Sequence, residues 1–205
     1  MINPSTKLIR SALIKTTLIV LTPLIITIWA RSQLPFFSND LDWAQYCGAL
    51  LPSSKMNYSE GWRLMMAPLL HYNISHLLSN TLLIGIATLI DGALNKSHTA
   101  LFKLLTEISR VYLWGAFIAL MRVIWGVEAW SMGLSGAALA LLSQQLCRVA
   151  LSSQVSHPLQ KIFLYLAPWG FVLIDIRDNV DIVSHILGVG LGTGWATLFF
   201  YIGRK

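Results

Sequence analysis

Six apolar runs divide this chain, at roughly 12–30, 74–92, 107–125, 133–149, 160–176 and 183–202. Each is near the ~20 residues that a helix needs to cross a bilayer, the fourth and fifth being the shortest. In hydrocarbon the backbone has no water to bond, so runs of this kind are confined to helices. The one long connection is 31–73. It contains LPFFSNDLDWAQYCGALLP, a mixture of aromatic, acidic and apolar residues that suits a structured loop lying at the membrane interface. The expected fold is therefore an all-α membrane protein, a bundle of six transmembrane helices forming one domain over residues 1–205.

Composition supports this class. Hydrophobic residues make up 55% of the chain and charged residues 12%, half of the about 25% usual in soluble domains. The net charge of +6 does not imply a nucleic-acid partner, because the basic residues lie between apolar runs and are not interleaved with aromatics. They orient the helices instead. With the N-terminus inside, Lys7, Arg10, Lys15, Lys96, Lys103, Arg110, Arg148, Lys161, Arg204 and Lys205 face the inner side, ten of the fifteen basic residues. Arg31, Lys55, Arg63, Arg122 and Arg177 face the outer side. The expectation is a multi-pass protein of a bacterial inner (cytoplasmic) membrane with both termini cytoplasmic. The first run is long for a signal peptide and no A-x-A site follows it, so it reads as a retained helix. Cys47 and Cys147 fall on opposite sides, which excludes a disulfide between them.

Polar side chains inside such helices carry a cost and tend to be functional. Three groups stand out: HYNISHLLSN with His71, His76 and Asn80; MGLSGAALALL with Ser135; and SHILGVGLG with His185. His76 and Asn80 are four apart and share a helix face. With His71 they either bond neighbouring helices as polar glue or aim donors at one place, as an oxyanion site requires. A zinc site from His71 and His76 lacks both the i, i+4 spacing and the intervening Glu, so no metal and no cofactor is expected.

Ser135 lies between Leu134 and Gly136 at the start of the fourth run. It is either a small residue that lets helices touch or a nucleophile whose first-turn N–H groups help to bind an oxyanion. Along the sixth run Ser184, Gly188, Gly192 and Ala196 recur every four residues. The fourth run offers Gly133, Gly136, Ala137 and Ala140, a second small-residue face against which such a seam can pack, and His185 lies beside the seam. If the two helices start on one side, His185 and Ser135 share a depth, and a serine within reach of a histidine is an activated nucleophile with its base. Asp181, one turn earlier, either orients His185 as a triad acid does or complements the helix dipole.

In order along the chain come Trp62-Arg63, His71-x4-His76-x3-Asn80, Gly133-Leu134-Ser135-Gly136 and His185-x2-Gly188-x3-Gly192. Together they resemble the rhomboid family of intramembrane serine proteases over roughly residues 60–200. The resemblance implies a six-transmembrane-helix rhomboid-like bundle and a Ser–His dyad with no acid. Ser135 is then the nucleophile and His185 the base. His76, Asn80 and the Ser135 N–H hold the oxyanion, Gly133 keeps the serine loop open, and His71 joins the polar cluster and water path. The substrate implied is a transmembrane segment of another membrane protein, cleaved near the outer face within the lipid bilayer. Two positions depart from the family pattern: Leu139, where an aromatic ring usually packs against the histidine, and Ser184, where Ala or Gly usually precedes it. Two alternatives go with the resemblance. One is the rhombosortase subfamily, which processes proteins with a C-terminal GlyGly-type sorting helix. The other is an inactive relative that binds transmembrane helices.

Overall fold

The computed structural model describes residues 4–37, 39–95, 101–174 and 181–202, and its α-helices number eight. They are α1 (Pro4–Gln33), α2 (Asp40–Cys47), α3 (Arg63–Met66), α4 (Ile74–Asn95), α5 (Leu101–Ile124), α6 (Ser135–Leu151), α7 (Pro158–Ile174) and α8 (Ile182–Ile202). Lys96, Arg177, Arg204 and Lys205, which enter the orientation argument, lie outside the described residues, as do the last two residues of the 160–176 run.

The six long helices match the six apolar runs, with shifted ends. α1 extends beyond 12–30 in both directions, from Pro4, whose fixed φ suits a first helical turn, to Gln33, two residues before Pro35. α5 begins at Leu101 because LFKLLT is made largely of good helix formers. α6 begins at Ser135 instead of Gly133, because Gly133 has φ +119°, which no helix accommodates.

Among the described residues, three helices are long and apolar enough to cross a membrane: those spanning Leu8–Phe36, Ile74–Leu94 and Ile182–Ile202. They fit an integral, multi-pass membrane protein. α6 and α7 have 17 residues each, about 25 Å of rise against a ~30 Å core, and α5 carries Glu107, Arg110 and Arg122.

α6 is the central element. Thirteen of its seventeen residues are buried, and it packs against α4, α5, α7 and α8, most extensively against α8. Outward positions are large and apolar: Leu82, Phe163, Leu173 and Leu198 are all exposed. This inside-out pattern is that of a body solvated by lipid.

The long connection is structured. Asn39 caps α2 by accepting from the Asp42 N–H (2.8 Å), and the helix ends on left-handed Gly48. Trp43, fully buried, donates from Nε1 to the Ala30 carbonyl. Arg63, 5% exposed, donates to the carbonyls of Gln45 and Ala49 (3.1 Å for the latter), pairs with Glu60 and lies over the Trp62 ring. Paired backbone bonds between Leu50 and Ser131 (2.8 and 3.1 Å) then fasten this connection to the segment that enters α6.

Candidate active site

The loop before Ser135 is held at three successive residues. Gly133 takes its left-handed conformation and donates its N–H to the Ala67 carbonyl at 2.9 Å. The Leu134 N–H points at His71 Nε2 (3.4 Å). Ser135 then opens α6, and among the described residues no side chain caps that helix. The nucleophile candidate is thus presented at a helix N-terminus, where backbone N–H groups lack intrahelical partners.

His185 arrives from α8. Asp181 caps that helix: its Oδ1 accepts from the Ser184 N–H at 3.2 Å, and its carbonyl accepts from the His185 N–H at 3.3 Å. The buried positions of α8 are Ser184, His185, Gly188, Val189, Gly192 and Ala196. A Cβ on Gly188 would run into the Gly136 carbonyl, and one on Gly192 into that of Ala140. At this backbone-to-backbone approach His185 Nε2 lies 2.8 Å from Ser135 Oγ. His185 is 2% exposed and Ser135 9%, so the pair is shielded from bulk solvent with the hydroxyl side slightly open.

The remaining predicted residues come from α4 and its entry. Asn73 caps α4 through the His76 N–H (2.7 Å), fixing the ring-bearing turn. His76 lies over Gly133, where a Cβ would come within 2.6 Å of its Cε1. The His71 and His76 rings meet edge to face, centroids 5.2 Å apart. His71, fully buried, faces Asn80 Nδ2 at 2.9 Å. Because the same Nε2 faces the Leu134 N–H, it is the acceptor in both contacts and the ring is neutral. Asn80 therefore spends one of its two amide protons on His71. His71, His76, Asn80, Gly133, Ser135 and His185 all converge on the entry to α6.

The two departures from the family pattern find ordinary places. Leu139 is buried and packs with Val172 and Val189, closing the space beneath the site with aliphatic carbon. Ser184 donates its hydroxyl to Asp181. Asp181 itself is surrounded by donors: Arg122 Nε, 2.8 Å away, the Ser131 hydroxyl and the Ser184 hydroxyl and N–H. Charge counting treats Arg122 as a loop-side cation, but it is 1% exposed and also donates to the Ala129 carbonyl. The available signal was an arginine after eleven uncharged residues of a spanning run, which needs a buried partner.

Helical among the described residues, with apolar helices of spanning length and a buried Ser–His pair at the N-terminal ends of α6 and α8, the chain falls in the class of polytopic membrane proteins. The family model described as the Rhomboid domain matches residues 58–202, from just before α3 to the end of α8, and the chain belongs to the rhomboid family. No curated protein sequence matches the chain.

Proposed function

We propose that this protein is an intramembrane serine endopeptidase whose nucleophile is Ser135 and whose general base is His185. The observation that carries this reading is the 2.8 Å separation of His185 Nε2 from Ser135 Oγ, a hydrogen-bond distance from which the proton can be taken. Family membership supports the reaction class.

Neutral His185 accepts the hydroxyl proton at Nε2 as Oγ attacks the scissile carbonyl. The imidazolium then gives that proton to the leaving amine, leaving an acyl-serine. Water, deprotonated by the same nitrogen, attacks the acyl carbon and regenerates the hydroxyl. The developing oxyanion is met by the uncapped N-terminus of α6, including the Ser135 N–H, and by His76, with the second amide proton of Asn80 available behind them. Gly133 gives room for this approach, and His71 holds Asn80 and the Leu134 N–H in place.

The substrate is a transmembrane segment of another membrane protein, entering from lipid near the outer face. We place all six long helices across the bilayer with both termini cytoplasmic, in one domain covering the whole chain. In support, Lys15, Asp91, Glu107 and Arg148, all assigned to the inner side, cluster together. Ser135 and His185 open helices that start at the opposite end. The inactive-relative reading is disfavoured by a complete pair at bonding distance.

A fluorophosphonate probe on the solubilised full chain tests the assignment. Wild type is expected to label, Ser135→Ala not to label, and His185→Ala to label at least ~10²-fold more slowly. Labelling that persists in Ser135→Ala overturns the nucleophile. Two substrates, an internal transmembrane segment and a C-terminal GlyGly-type sorting helix, then separate general rhomboid proteolysis from the rhombosortase reaction.

A further inference from the structure

The polar cluster around Asp181 lies outside the reaction described above, yet it touches both segments that deliver the reacting atoms. Asp181 is the cap of α8, one turn before His185. Its carboxylate also takes the hydroxyl of Ser131, four residues before Ser135 in the loop that leads into α6. Arg122, on α5, closes the arrangement: its Nε lies 2.8 Å from Asp181, and it donates to Ala129 in that same loop (3.1 Å). A side chain as large as arginine at 1% exposure commits this corner to an ion pair, because an unpaired guanidinium there would be costly.

We propose that the Arg122–Asp181 pair, joined to Ser131, is a positioning device that fixes His185 level with Ser135. This rests on the reading of Ser135 and His185 as the reacting pair. Asp181 is then not a triad acid. Its oxygens are directed to Arg122, Ser131 and Ser184, and it acts on His185 through the helix it caps. Arg122 and Asp181 are positioning residues; neither touches substrate.

Asp181→Asn keeps a helix-capping side chain while removing the ion pair, which separates loss of the pair from loss of the cap.

The test is the second-order rate of fluorophosphonate labelling on the full chain, read beside thermal melting in detergent. Arg122→Gln and Asp181→Asn are each expected to label at least ~10-fold more slowly below their own melting transitions, and Arg122→Lys, which keeps the ion pair, to recover most of the rate lost in Arg122→Gln. Wild-type rates in both single variants, or a rate for Arg122→Lys no better than that for Arg122→Gln, overturn the proposal. If the single variants fail to accumulate, the double variant Arg122→Gln/Asp181→Asn decides: a wild-type rate overturns the positioning role, and a slowed rate in a protein that melts like wild type supports it. Ser135→Ala is run alongside. If it still labels, the Ser135–His185 reading fails. If it is silent while the charge variants match wild type, only the present proposal fails.

Discussion

Gly188 on α8 backs onto the carbonyl of Gly136 on α6 with no side chain between them, and Gly192 repeats the contact with Ala140 one turn on. Ser135 precedes Gly136 by one residue and His185 precedes Gly188 by three. The depth match of Ser135 and His185 is therefore a consequence of the helix seam. Gly188→Ala places a methyl group against backbone that has nowhere to yield, and forcing two such helices apart costs about 1–3 kcal/mol. It is expected to reduce fluorophosphonate labelling at least ~10-fold. Gly190 is exposed and has nothing within 4 Å of a built Cβ, so Gly190→Ala is expected to label as wild type. Equal rates for the two variants would show that the seam does not set the pair.

Gly133 answers two demands at once. Its φ of +119° is strained for any residue with a Cβ, and that Cβ would lie 2.6 Å from the His76 ring. Gly133→Ala is expected to lower stability by about 1–3 kcal/mol, as read by thermal melting in detergent. The acylation rate, measured by single-turnover labelling, is expected to fall further than that loss explains, because both the serine loop and His76 must move. A variant that melts early but labels at the wild-type rate would remove Gly133 from the site.

These two positions also show what the sequence could and could not disclose. The small-residue seam was legible because its spacing of four is a helix period, and Ser184, Gly188, Gly192 and Ala196 are all buried as that period requires. The polar trio on α4 was legible because a bilayer leaves few polar residues without a reason. The pairing among them was not. The direction in which Asn80 points depends on the loop that carries His71, and no local pattern sets that loop. Arg122 and Asp181 are 59 residues apart, and a charge count assigns each to a side but not to a partner. α6 starts two residues later than the small-residue pattern predicts, because Gly133 fits a helix face by composition while its backbone is left-handed.

At the opposite end of the bundle Lys15 lies 3.3 Å from Asp91 and 3.0 Å from Glu107, while Arg148 reaches Asp91 at 2.8 Å. This network ties α1 to α4, α5 and α6. Lys15 is 5% exposed and Asp91 6%, so removing one partner strands a charge in a low dielectric. Asp91 keeps Arg148, so Lys15→Met strands Glu107; it is expected to lower stability by about 3–5 kcal/mol, and Lys15→Met/Glu107→Gln to recover part of the loss. Thermal unfolding in detergent measures both. Below the melting transition the labelling rate is expected to change little, since the network lies at the far end from Ser135. A double variant no more stable than the single would show that the ion pair is not what α1 depends on.

His71 gives the protein a specific acid sensitivity. Burial pushes its imidazole down to about 3 from an ordinary 6.5, and the neighbouring His76 adds to the shift. The folded protein therefore keeps His71 neutral, as its acceptor role toward Asn80 and Leu134 requires, while the unfolded chain takes up a proton as pH falls below 6.5. The stability due to neutral His71 is complete above 6.5 and is lost as pH falls toward about 3. Within that window the slope from this one group approaches about 1.4 kcal/mol per pH unit. His71→Gln retains an acceptor but no titration. The wild-type melting temperature is expected to decline more steeply than the variant's between those limits, and the two pH profiles to run parallel above 6.5. Parallel profiles throughout would mean that the folded protein takes up the His71 proton at the same pH as the unfolded chain, and its Nε2 would not be the acceptor shared by Asn80 and Leu134.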